Sequence, residues 1–64
     1  MVIRYEKELD IIYIKLTDAK VVESDEEKPG IILDYDESGS IIGIEILNAS
    51  KKVNLPNGVQ YEVA

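Results

Sequence analysis

Asp34-Tyr35-Asp36-Glu37-Ser38-Gly39-Ser40-Ile41-Ile42-Gly43-Ile44-Glu45 supports two readings, and the choice between them decides the fold. Counted from Asp34, it matches the loop of an EF-hand: carboxylates at positions 1 and 3, Ser at 5, Gly at 6 and Glu at 12. Read for periodicity, it is a β-hairpin. Ile31, Leu33 and Tyr35 alternate before the loop, and Ile42, Ile44 and Ile46 after it. An EF-hand loop needs flanking helices to aim its ligands, yet the flanks here are β-branched runs. Position 9 is Ile42, where an oxygen is wanted. Asp36-Glu37-Ser38-Gly39 suits a tight turn, with Gly39 in the left-handed conformation that glycine adopts cheaply. The hairpin reading therefore stands. A carboxylate ion site of calcium type, built from Asp34, Asp36 and Glu45, is kept as an alternative.

Working outward, residues 2–6 form a strand with Ile3 and Tyr5 on one face. Residues 11–17 form the clearest strand, with Ile12, Ile14 and Leu16 opposed to Ile11, Tyr13 and Lys15. Residues 20–24 read as a weaker strand around Val21 and Val22. Residues 25–30 read as a charged loop closed by Pro29-Gly30. Strands at 31–35 and 41–47 complete an antiparallel meander of four to five strands. Asn48 then suits the cap of a short helix at 49–54, ended by Pro56. The tail, 55–64, alternates Val59, Tyr61 and Val63 and leans toward a last strand. The fold class is α+β in one domain, 1–64. Its expected core is Ile12, Ile14, Leu16, Leu33, Tyr35, Ile44 and Ile46, with Ala49 and Val53 from the helix.

Composition narrows the chemistry. The chain has 64 residues, no Cys and no His. Disulfides, thiolate metal sites, the commonest transition-metal ligand and the commonest general base are thereby removed. Ser24, Ser38, Ser40 and Ser50 lack a partner base for nucleophilic catalysis. The formal charge is −6, with seven scattered cationic residues, the wrong balance for counterion release on nucleic acid. A carboxylate-dependent enzyme using Asp34, Asp36 and Glu45 is the remaining catalytic reading, and so small a sheet offers it little cleft. No catalytic residue and no cofactor is expected. No apolar run approaches a membrane span and no leader pattern opens the chain, so a soluble cytoplasmic protein is expected.

Two runs, Ile31-Ile32-Leu33 and Ile41-Ile42, break the alternation that a sheet with one wet face should keep. A domain of this size buries only about 60% of its unfolded surface. A second copy of the chain is the simplest cover, so a homodimer is expected. The acidic surface also suits a basic protein partner, as for a regulatory or inhibitory module.

The ordered features resemble the small prokaryotic family known as domain of unknown function 2283. The residues that carry the resemblance are Tyr5, Asp10-Ile11-Ile12-Tyr13-Ile14-Lys15-Leu16, and Pro29-Gly30-Ile31-Ile32-Leu33-Asp34-Tyr35-Asp36. Gly39, Gly43-Ile44-Glu45-Ile46-Leu47 and Ala49-Ser50 follow. Asn48 stands where the pattern more often has Asp. The resemblance implies a small β-rich domain and transfers no catalytic residues.

Overall fold

The computed structural model describes residues 1–54 and 58–64. Five strands precede one helical turn: β1 (Val2–Glu6), β2 (Ile11–Lys15), β3 (Glu23–Lys28), β4 (Ile31–Tyr35), β5 (Ile41–Leu47) and α1 (Ala49–Lys52). They form one sheet in the order β1-β2-β5-β4-β3. Every neighbour is antiparallel. β1–β2 is a local hairpin and β3–β4–β5 a local meander. The two units join where β2 pairs with β5, aligning Ile12 with Ile46 and Ile14 with Ile44.

Residues directly opposite in an antiparallel pair share a face. The registers therefore sort the side chains. Ile3, Tyr5, Ile12, Ile14, Ile31, Leu33, Ile44 and Ile46 fall on one face. Arg4, Tyr13, Lys15, Ser24, Ile32, Asp34 and Glu45 fall on the other. The first is an isoleucine face. The second is mostly polar, with Ile11, Ile32 and Leu47 as its half-buried apolar residues.

The hairpin at 31–47 forms as its alternation requires. Gly39 takes φ 86° and its N–H donates to the Asp36 carbonyl at 3.0 Å. One irregularity is not visible in the pattern. The register slips between Asp34 and Tyr35, where Gly43 faces Asp34 but Ile41 faces Tyr35. Ile42 is the extra residue of this bulge, and at 3% exposure it joins Ile12 and Ala49 in the small buried core. The other expected core residues are not fully buried.

Three boundaries need correction. The third strand runs over Glu23–Lys28, not 20–24, so the expected charged loop is itself a strand. It lies at the sheet's edge with all six residues exposed, so it buries no face that would demand apolar residues. Its pairing with β4 is set by backbone hydrogen bonds. β2 ends at Lys15, although Leu16 extends the ladder with one bond, its N–H donating to the Ile42 carbonyl at 2.9 Å. The helix stops at Lys52, with Val53 already extended. Of the tail, residues 58–64 form no strand, while 55–57 lie outside the described residues.

The layer is thin. The chain measures 36 × 30 × 19 Å with a radius of gyration of 12.5 Å. A compact domain of this length has a radius of about 10.7 Å. A helix of four residues is only about 6 Å long. The sheet it lies against is about 19 Å across its five strands.

Candidate functional site

Among the described residues, the side chains with chemistry gather in three places. The first is Asp10, in the turn between β1 and β2, held at φ 55°. Its carbonyl accepts from the Ala49 N–H at 2.9 Å. Its carboxylate accepts from the Ser50 N–H at 3.0 Å and from the Ser50 hydroxyl at 2.7 Å. The Tyr5 hydroxyl donates to the same carboxylate at 2.7 Å. Asp10 thus supplies the acceptors at the start of α1 from a turn forty residues away in sequence. Asn48, expected to cap this helix, sits at φ 52° and makes no side-chain cap bond. Its left-handed backbone turns the chain into the helix, and Asp10 satisfies the free N–H groups.

The second place is on the polar face. The Tyr13 hydroxyl donates to Asp34 Oδ2 at 2.8 Å, and the Ser24 hydroxyl to Asp34 Oδ1 at 2.6 Å. These bonds tie β2 and β3 to β4 across the sheet. The Tyr13 ring reaches Asp34 by crossing over Gly43, which lies between them on β5. A Cβ at Gly43 would lie 3.0 Å from Tyr13 Cζ and 3.1 Å from Asp34 Oδ2. Gly43 is buried and its φ is unexceptional, so its role is to leave room for the phenol.

The third place is the hairpin loop. Asp36 Oδ1 accepts from the Ser38 N–H at 2.9 Å, the Ser38 hydroxyl at 2.8 Å and the Ser40 N–H at 2.9 Å. Asp36 therefore folds back into its own loop. Glu45 stands opposite Tyr13 and Ile32 on the polar face. The structure does not bring Asp34, Asp36 and Glu45 together: among the described residues no three acidic side chains are grouped to hold a metal ion.

The hydrogen bonds set the electrostatics. The Ser50 hydroxyl, with Tyr5 and the Ser50 N–H behind it, holds the Asp10 carboxyl below the usual aspartate range. The Ser38 hydroxyl and the loop N–H groups do the same for Asp36. Asp34 raises Tyr13, because ionising the phenol would break the bond it donates. Glu27 Oε1, 2.7 Å from the Tyr35 hydroxyl, pushes Tyr35 up to about 12.

These directions fix the pH dependence. A depressed carboxyl stabilises the fold above its unfolded value, and that support is lost as pH falls through the folded value. Acid unfolding should begin below about pH 4. Replacing Asp10 with Asn should flatten that limb in circular dichroism. A raised phenol acts in the opposite sense. Its support is complete below about pH 10 and disappears as pH climbs toward 12. Tyr35→Phe should shrink that alkaline limb, leaving the share that Tyr13 contributes.

Gly43→Ala is expected to destabilise the sheet by about 1–3 kcal/mol, the usual range for overpacking. The added methyl would force Tyr13 away from Asp34. Urea titration should register the loss, and Tyr13→Phe in the same chain should recover part of it, since the hydroxyl makes the nearest contact. No recovery would mean that the strain lies in the backbone.

Comparison with known proteins rests on this same stretch of chain. The family model described as "Protein of unknown function (DUF2283)" matches residues 2–50, from the first strand into the helix. The chain belongs to this family. The DUF2283 match ends before the tail, so residues 51–64 lie beyond it. Among curated proteins, the chain is similar to an uncharacterized protein of Methanocaldococcus jannaschii, 60% identical over 25 residues. That alignment takes in 39% of this DUF2283 chain and 22% of the relative's length. No solved structure matches. Among the described residues no helix is long and apolar enough to cross a membrane.

Proposed function

We propose that this chain is a non-catalytic interaction module that works as a homodimer, two copies packing through their isoleucine faces. The observation that carries the reading is surface left over. The accessible surface is 5130 Å², whereas a compact monomer of 7.2 kDa exposes about 4100 Å². The excess is comparable to what one partner buries in a standard interface, about 800 Å². The apolar face supports the same reading. Ile3 remains 41% exposed and Tyr5 37%, and Ile14, Ile31, Leu33, Ile44 and Ile46 are half-buried. Val53, just past the helical turn, lines a groove with Ile12 and Ile46.

Light scattering at micromolar concentration is the test. A mass twice 7.2 kDa is the expected result, and a monomeric mass overturns the reading. The acidic edge supports a further layer of the proposal, a cationic protein partner. Glu23, Asp25, Glu26 and Glu27 stand exposed along β3, an arrangement that attracts a basic surface and weakens with salt. A lysine-rich peptide should shift the β3 resonances at low ionic strength. Shifts that persist unchanged at about 0.5 M salt would exclude charge as the basis, because screening there is nearly complete beyond a few ångströms.

A further inference from the structure

The two edges of the sheet differ in kind. β3 carries a row of like charges, which repels an incoming strand. β1 carries no such guard. Its five residues are all exposed, its register with β2 is unbroken, and it contains no proline. Arg4 and Glu6 are its charges and they cancel. Half of its backbone N–H and C=O groups point away from β2, a template for one more strand.

The tail has the complementary pattern. Residues 59–63 read Val-Gln-Tyr-Glu-Val, apolar and polar in strict alternation. They form no strand, and Val59, Tyr61 and Val63 are 64%, 78% and 82% exposed. We propose that this segment of one copy adds to the β1 edge of a second copy as an antiparallel strand, with Glu62 opposite Arg4. The proposal rests on the homodimer reading above and names how its two chains engage.

One register satisfies both faces. With Glu62 opposite Arg4, Tyr61 meets Tyr5 and Val63 meets Ile3 on the isoleucine face. The Glu62–Arg4 pair then lies on the polar face, where opposite charges across a ladder are favourable. A slip of one residue sends Tyr61 and Val63 to the polar face. A slip of two in one direction opposes Glu62 to Glu6. The same slip in the other direction leaves Arg4 facing Gln60 and Glu62 facing Val2.

A second copy fits better than the chain's own edge. Within one chain the start of the tail lines a groove on the isoleucine face. Gly58, Val59 and Gln60 bound a groove of about 310 Å³ against Ile3, Ile12 and Ile14. The tail's apolar side chains gain little there, given their exposure. Exchange between copies would also put Tyr61 and Val63 beside the face that the dimer covers.

Charge reversal tests this. Arg4→Glu and Glu62→Arg, in separate chains, should each weaken the dimer by about tenfold, since both symmetric pairs become like-charged. Mixed in equal amounts, the two chains should form the heterodimer above its statistical proportion in native mass spectrometry. Only that pairing sets opposite charges at both edges: native Glu62 against native Arg4 at one, and the two substituted side chains against each other at the second. Both changes in one chain keep the net charge of −6 and should restore the homodimer. Circular dichroism should report an unchanged sheet in each variant, because the β1 position and the tail position are both exposed. Deleting residues 58–64 should weaken the dimer at least as much as either reversal. A dimer indifferent to the deletion and the reversals overturns the tail exchange alone. Restoration in the doubly changed chain without heterodimer preference assigns the tail to its own edge and also overturns it. A full chain that is monomeric overturns the homodimer reading itself.

Discussion

Ile12→Ala is expected to cost about 2–5 kcal/mol and to leave the chain largely unfolded at 25 °C. Ile12 lies near the start of β2, opposite Tyr5 on one side and Ile46 on the other. At 5% exposure it is one of three buried apolar residues among those described. Truncation removes its own burial and leaves a cavity that a rigid sheet closes poorly. A single core in a domain this small rarely supplies more than about 3–5 kcal/mol, so the loss is of the same size as the whole. Urea titration followed by circular dichroism is the measurement. A midpoint unchanged from the parent would place the core elsewhere. If the chain dimerises as proposed, the parent's transition should also move upward with protein concentration by mass action.

Asp10→Ala should lower the melting temperature by about 4–8 °C, the shift expected in a domain this size for losing a helix cap. The change removes the acceptor for Tyr5, the Ser50 N–H and the Ser50 hydroxyl at once. It also leaves a β-carbon at φ 55° without the polar side chain that makes this conformation tolerable. Asp10→Gly separates the two effects. Glycine accepts the backbone angle freely, so its remaining deficit reports the lost carboxylate alone. The Ser50 amide should lose hydrogen-exchange protection in both variants. Protection that survives in the glycine variant would mean that the carbonyl bond to Ala49 suffices to hold the turn.

The fold is legible in the sequence wherever apolar residues alternate at a spacing of two. β1, β4 and β5 follow from Ile3, from Ile31 and Leu33, and from Ile44 and Ile46, each at a spacing of two. β3 is not legible, because its sequence, Glu-Ser-Asp-Glu-Glu-Lys, has no apolar residue to alternate. Val21 and Val22, the apolar pair that suggests a strand at 20–24, remain 42% and 56% exposed. Of the candidate site, the loop chemistry at Asp36, Ser38 and Gly39 can be read locally, since every partner is within four residues. Asp34 is visible as a carboxylate but not as the meeting point of Tyr13 and Ser24, which approach from other strands. The cap cannot be found by inspection at all. Asn48 has the right residue type next to the helix, while Asp10 has the right geometry from a distant turn. Local sequence reports the first property only.

The Asp10 carboxylate also sets an order of events. Four residues cannot nucleate a helix in water, and this one waits for a carboxylate delivered by a closed β1–β2 turn. That turn in turn lies beside α1 only after β2 has found β5, a pairing of segments distant in the chain. Each hairpin can assemble early from near neighbours, and their docking is the slow step. The helical turn sets last, like a latch that catches only when the door is already shut.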